Sequence, residues 1–113
     1  MTHDEMFALA AMYAVKRVDR REHRIGAVAV RSDGTIVHAS NGVAPQPTPK
    51  HHAEARLAKK LDVGAVVYVV RIKRNGEYGL ARPCARCRAV LAAHGVTLVY
   101  YTMNDGEFGA MML

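Results

Sequence analysis

Tryptophan is absent and phenylalanine occurs only twice, so the chain has little of the aromatic surface on which single-stranded nucleic acids usually stack. Two cysteines are too few for the disulfide framework of a small secreted domain, and a reducing, cytoplasmic setting is expected. No stretch approaches the roughly 18 consecutive apolar residues of a membrane span. The apolar segment 6–15 is preceded by Asp4 and Glu5 and followed by Lys16 and Arg17, the reverse of a secretory signal's charge order, so no export is expected. Acids are also scarce, 10 against 16 Lys+Arg, which leaves a formal charge of +6 with neutral histidines. Such a balance attracts phosphate on a nucleotide, on a nucleic acid or on nothing in particular, and does not choose among them. Half of the 113 residues are nonetheless hydrophobic, enough for a packed core and against wholesale disorder. The length fits a single domain over residues 1–113.

Thr2-His3-Asp4-Glu5 has the form of a capping box, and Phe7, Ala10, Ala11, Ala14, Val15 and Val18 follow at helical spacing. A first helix is predicted from about residue 4 to the low twenties. Its basic end (Lys16, Arg17, Arg20, Arg21, Arg24) has two readings, a phosphate-facing patch or a solvated helix end whose cations suit the C-terminal dipole. Segments 25–30 and 35–39 flank Ser32-Asp33-Gly34 as a hairpin. Residues 40–50 hold Pro45, Pro47 and Pro49 and are predicted as an irregular, functional loop. A second helix is predicted over 52–61 and a doubly covered central strand over 65–72. After the Arg74-Asn75-Gly76 turn, 77–81 makes a short return. A third helix runs from Cys84 to about His94 and stops at Gly95. Strands 96–102 and 108–113 flank Asn104-Asp105-Gly106. The apolar tail 108–113 fits either an interface between subunits or an edge strand of the core.

Two short segments carry chemistry: His52-Ala53-Glu54 and, thirty residues on, Pro83-Cys84-Ala85-Arg86-Cys87. Each lies where a loop gives way to a helix, and helix N-termini favour thiolate over thiol. Cysteines at i and i+3 share a helix face and can grip one ion. An imidazole adds a third ligand, leaving the fourth tetrahedral position of zinc open, as in catalytic rather than structural sites. Taken singly the motifs have duller readings. The cysteines fit a redox dithiol, though no aromatic precedes the first, or half of a structural zinc site, though no second pair completes it. His52 alone fits a loop histidine, with His51 beside it as a rival ligand, and Glu54 an ordinary first-turn acid. His3, His23, His38 and His94 have no partner at ligand spacing and are expected to be structural or solvated.

Together, His-x-Glu followed by Pro-Cys-x-x-Cys is the known signature of zinc base deaminases, and the chain resembles the zinc-dependent cytidine deaminase superfamily. The motifs themselves cover about eight residues, but the order of elements matches the family over nearly the whole chain. The resemblance implies an α/β, three-layer fold: a mixed five-stranded sheet with helices on both faces and a last pair of strands forming an antiparallel hairpin. It implies zinc held by His52, Cys84 and Cys87, with Glu54 as proton shuttle to a metal-activated water that attacks the amine-bearing ring carbon. It further implies substrate contacts at Asn41, Ala53, Arg82 and Pro83. Arg88 resembles an arginine that, in some relatives, bonds the metal thiolates; a surface arginine is the alternative. The implied substrate is a small cytosine-containing base, nucleoside or nucleotide, with single-stranded nucleic acid as an alternative substrate and a non-catalytic zinc-stabilised domain as a third reading. No membrane partner is implied, and a homo-oligomer is. A histidine as first ligand is similar to the nucleotide and nucleic-acid branches. The closing hairpin is similar to the nucleoside branch, which however pairs its Asn with a nearby acid that Gly42, Val43 and Ala44 do not provide.

Overall fold

The computed structural model describes residues 2–15, 24–40, 53–73, 75–104 and 106–113. Helix α1 (His3–Val15) opens with the capping box the sequence predicts: the Glu5 amide donates to Thr2 Oγ1 and the Thr2 amide to Glu5 Oε1, both at 3.2 Å. The Thr2 amide, and after it the Thr2 hydroxyl, bond the Glu5 carboxyl and hold it below its ordinary value. Residues 16–23, and with them most of the basic helix end, lie outside the described residues. Strands β1 (Arg24–Val30) and β2 (Ile36–Ser40) form the first hairpin, turned at Gly34 with φ +86°. Helix α2 (Ala53–Ala58) is shorter than the predicted 52–61 because the amides of Lys60 and Leu61 turn to the carbonyls of Leu57 and Ala58, three residues back.

Strand β3 (Val66–Ile72) follows, then a two-residue strand β4 (Tyr78–Gly79), helix α3 (Ala85–Ala93), β5 (Leu98–Thr102) and β6 (Phe108–Met112). Helix α3 ends as its Gly95 predicts: with φ +87° the glycine amide donates to Ala92 O, and the Val96 amide reaches back to Leu91 O. The sheet runs β2-β1-β3-β5-β6, with β4 paired to the end of β3. It has six strands where five were expected; the short return after Gly76, not counted among the five, pairs Gly79 with Arg71 and Tyr78 with Ile72. β3 and β5 are parallel and all other pairs antiparallel, including the closing β5–β6 hairpin.

Alternation across this mixed sheet builds two cores. Val28, Tyr68, Val70 and Ile72 meet Met6, Phe7, Ala10 and Ala14 of α1 on one face. Ala27, Ala29, Val67, Val69 and Val99 meet Ala53, Leu57, Ala58 and Leu91 of α2 and α3 on the other. The three layers follow from β1 and β3 being apolar on both sides, as buried strands must be. Strand β6 is an edge: Met111 and Leu113 pack on one core, Phe108 stacks one ring face on Phe7 of the other while staying 42% exposed, and Met112 is exposed. None of the described helices is long and apolar enough to cross a membrane.

Helix α1 approaches β1 so closely that a Cβ on Gly26 would lie 2.0 Å from Ala10 O and 2.7 Å from the Ala14 amide nitrogen. Both obstacles are backbone and neither can rotate away. Gly26→Ala is expected to cost about 3 kcal/mol, read from the urea midpoint; an unchanged midpoint contradicts the close approach.

Candidate active site

Helices α2 and α3 each lead into a strand of the parallel pair, β3 and β5, and both pack on the same sheet face and on each other. A helix that returns the chain to the start of a parallel strand runs against that strand, so its N-terminus lies beyond the strand's far end. Both helix N-termini therefore share one end of the sheet, the end at which open α/β sheets place their ligands. Glu54 stands in the first turn of α2, Cys84 caps α3, and Cys87 lies in the first turn of α3.

The second segment is anchored by Thr102, a fully buried polar residue at the end of β5. Its hydroxyl donates to Gly79 O at 2.7 Å and accepts the Arg71 amide at 3.2 Å, while its carbonyl accepts the Ala81 amide at 2.9 Å. Ala81 and Pro83 are buried as the chain passes over this anchor, and Arg82 between them is exposed. Cys84 then adopts an extended backbone (φ −66°, ψ 164°) and its sulfur accepts the Cys87 amide at 3.5 Å, the role a serine or aspartate oxygen commonly fills at a helix start. The Arg88 amide donates to Cys84 O at 2.9 Å. Cys84 is exposed and Cys87 wholly buried, so the pair presents one sulfur to solvent and one to the interior.

Glu54 is only 4% exposed, a depth at which carboxylates are rarely found without a partner. It faces the Cys87 thiol. Burial pushes the Cys87 thiol far up from its ordinary value, and the neighbouring Glu54 charge and the Cys84 sulfur push it further. Two acids share a dry site at the cost of keeping one proton, and a cation placed between them reverses that preference.

The structure thus brings together Glu54, Cys84 and Cys87. Ala53, buried, and Pro83 flank them in the chain. His52, His51 and Asn41 lie outside the described residues. Among the described residues no group of three His, Cys, Asp or Glu is placed to hold a metal. Other histidines are engaged away from the site: His3 Nδ1 lies 2.6 Å from the Tyr68 hydroxyl, His38 stacks on Tyr13, and His94 Nδ1 lies 2.9 Å from Val90 O. Thr102 escaped the sequence reading because a threonine at a strand end is ordinary there; only the strand partner reveals its task.

Residues 1–103 match the profile of the family described as "Cytidine and deoxycytidylate deaminase zinc-binding region". The chain belongs to that family. Among solved structures it is similar to the cytidine deaminase of Burkholderia pseudomallei (23% identity, 99% of this chain and 93% of that one, TM-score 0.67). It is also similar to the dCMP deaminase of cyanophage S-TIM5 in its apo form (22%, 94% and 89%, TM-score 0.64) and to the cytidine deaminase of Mycobacterium leprae (19%, 98% and 94%, TM-score 0.61). At these identities the likeness is one of fold. No curated protein matches the chain by sequence.

The raised Cys87 thiol sets a sign for alkaline stability. The folded protein keeps it protonated while the unfolded chain ionises it near ~8.5. Its contribution is therefore full below that pH and is lost as pH rises above it. Urea midpoints of the metal-free protein should fall more steeply between pH 7 and pH 10 than those of Cys87→Ala; parallel slopes contradict the burial described.

Proposed function

We propose that this family member is a zinc-dependent hydrolytic deaminase that releases ammonia from a cytosine-containing base, nucleoside or nucleotide. The observation that carries this is the buried Glu54 carboxylate set against the Cys87 thiol where two helix N-termini meet. The donor set fits zinc: two cysteines one helical turn apart, one of them exposed, beside an acid too deep to be a surface charge. His52, Cys84 and Cys87 would hold the metal. Bound there, zinc supplies the Lewis acidity that lets water act as a nucleophile near neutral pH.

The chain's own residues do the rest. Glu54 accepts a proton from the attacking water and returns it to the ring nitrogen. It then passes the water's second proton to the departing amine, which leaves as ammonia while the oxygen remains as the product carbonyl at C4. A carboxylate can make both transfers only if it does not itself bind the metal, and its seat on α2, across from the cysteines of α3, suits that separation. Asn41, Ala53, Arg82 and Pro83 are assigned to the substrate by their places in the motifs. The names of the similar structures, cytidine and dCMP deaminases, support a cytosine ring over other amines. The exposed Phe108 and Met112 on the β6 edge support assembly into an oligomer.

Glu54→Gln removes the proton carrier and keeps the side chain's size. Ammonia release from cytidine or deoxycytidylate is expected to fall by about 10²–10⁴-fold while zinc content stays that of the parent protein. Turnover near the parent rate overturns the role of Glu54; loss of the metal with the carboxylate makes it a ligand instead.

A further inference from the structure

A second concave surface lies outside the cysteine–glutamate cluster. The end of β2 and the exit from α2 enclose a groove of about 390 Å³ lined by His38, Ala39, Ser40, Arg56, Lys59 and Lys60. Its charged side chains are all cations. Lys60 is fixed there, its Nζ donating to His38 O at 2.6 Å on the free edge of β2. Among the described residues no carboxylate pairs with Arg56, Lys59 or Lys60; Asp33 is instead taken by Arg31 and the Thr35 amide, and Asp62 by Arg31 and Ser32. Arg56 stands in the last turn of α2, and Lys59 and Lys60 follow directly in the turn that ends it, so three cations gather within five residues. Cations gathered this closely repel one another, and an anion between them relieves that repulsion.

Position narrows the anion. Glu54 stands in the first turn of α2, whereas Arg56 lies about 200° around the helix from it and Lys59 and Lys60 follow the last helical residue, so the groove lies around and beyond the helix from the carboxylate. Ser40, which lines the groove, directly precedes in sequence Asn41, a residue assigned to the substrate. A ligand that spans both places must carry negative charge beyond the nucleotide whose base is attacked.

We propose that this groove binds phosphates of a single-stranded polynucleotide whose target cytosine lies at Glu54. The inference rests on the deaminase reading for the base and adds the class of molecule that bears it. Three cations and an open strand edge track a phosphodiester backbone without reading sequence, a mode that needs little of the aromatic surface this chain lacks.

The test uses the zinc-loaded full chain and a short fluorescein-labelled single-stranded DNA containing one cytosine, titrated over a salt series. The combined change Arg56→Gln, Lys59→Gln, Lys60→Gln should weaken binding at least about tenfold and shrink the slope of log affinity against log salt by about 2. Turnover of free cytidine should be unchanged. Lys59→Glu alone, at an exposed position, should weaken binding in the same direction if the combined variant does not fold. Unaltered affinity and slope overturn the proposal. So does a rise in KM for cytidine 5′-monophosphate as large as that for the strand, which would assign the cations to a free nucleotide's own phosphate. If no substrate yields ammonia yet the variants still lose the strand, the deaminase reading fails and the groove stands.

Discussion

One parallel contact organises the molecule. β3 and β5 lie side by side in the same direction, and each is entered from a helix that lies across the same sheet face. That pairing forces two helix starts to one end of the sheet, and the sequence places an acid at one start and two cysteines at the other. Thr102 makes the arrangement exact in register, since a single buried hydroxyl ties β4 to β5 and its carbonyl holds Ala81 just ahead of the cysteines. An antiparallel β3–β5 pair would send the two helix starts to opposite ends and separate the groups altogether.

Function is written into this end of the sheet as electrostatic tension. A buried carboxylate next to a buried thiol is unfavourable in the absence of a cation, and the protein carries that tension rather than replacing either group with an apolar one. Stability is supplied elsewhere, by the two apolar faces of β1 and β3 and by the backbone-to-backbone approach of α1 at Gly26. The groove beyond α2 repeats the pattern in the other sign, with cations gathered where, among the described residues, no acid answers them.

Much of the fold was legible in local chemistry. The Thr2–Glu5 box, the stop at Gly95, the hairpins and the doubly apolar β3 each rest on interactions between residues close in sequence, or on a periodicity that one strand displays alone. What escaped was tertiary. β4 is two residues long and exists only because Arg71 and Ile72 offer it an edge, so no period of its own announces it. The helix at Ala58 ends early because a tight turn at Lys60 and Leu61 replaces another helical turn, a choice that leaves Leu61 against the core and Lys60 against β2. At the site, the motifs identified Glu54, Cys84 and Cys87, which stand together, whereas His52 and Asn41 lie outside the described residues. Nothing in the spacing of Arg56, Lys59 and Lys60 foretold that they would line a groove, since the opposite wall comes from a strand some twenty residues away.

The central claim is that two sulfurs and one imidazole converge on a single zinc ion that keeps a place for water, with Glu54 outside the ligand set. X-ray absorption at the zinc edge of the metal-loaded protein reads that donor set directly. Two sulfurs at about 2.3 Å with one nitrogen and one oxygen donor at about 2.0–2.1 Å are expected, unchanged in sulfur count by Glu54→Gln. A shell of oxygen donors without sulfur, or four protein ligands that leave no place for water, contradicts it.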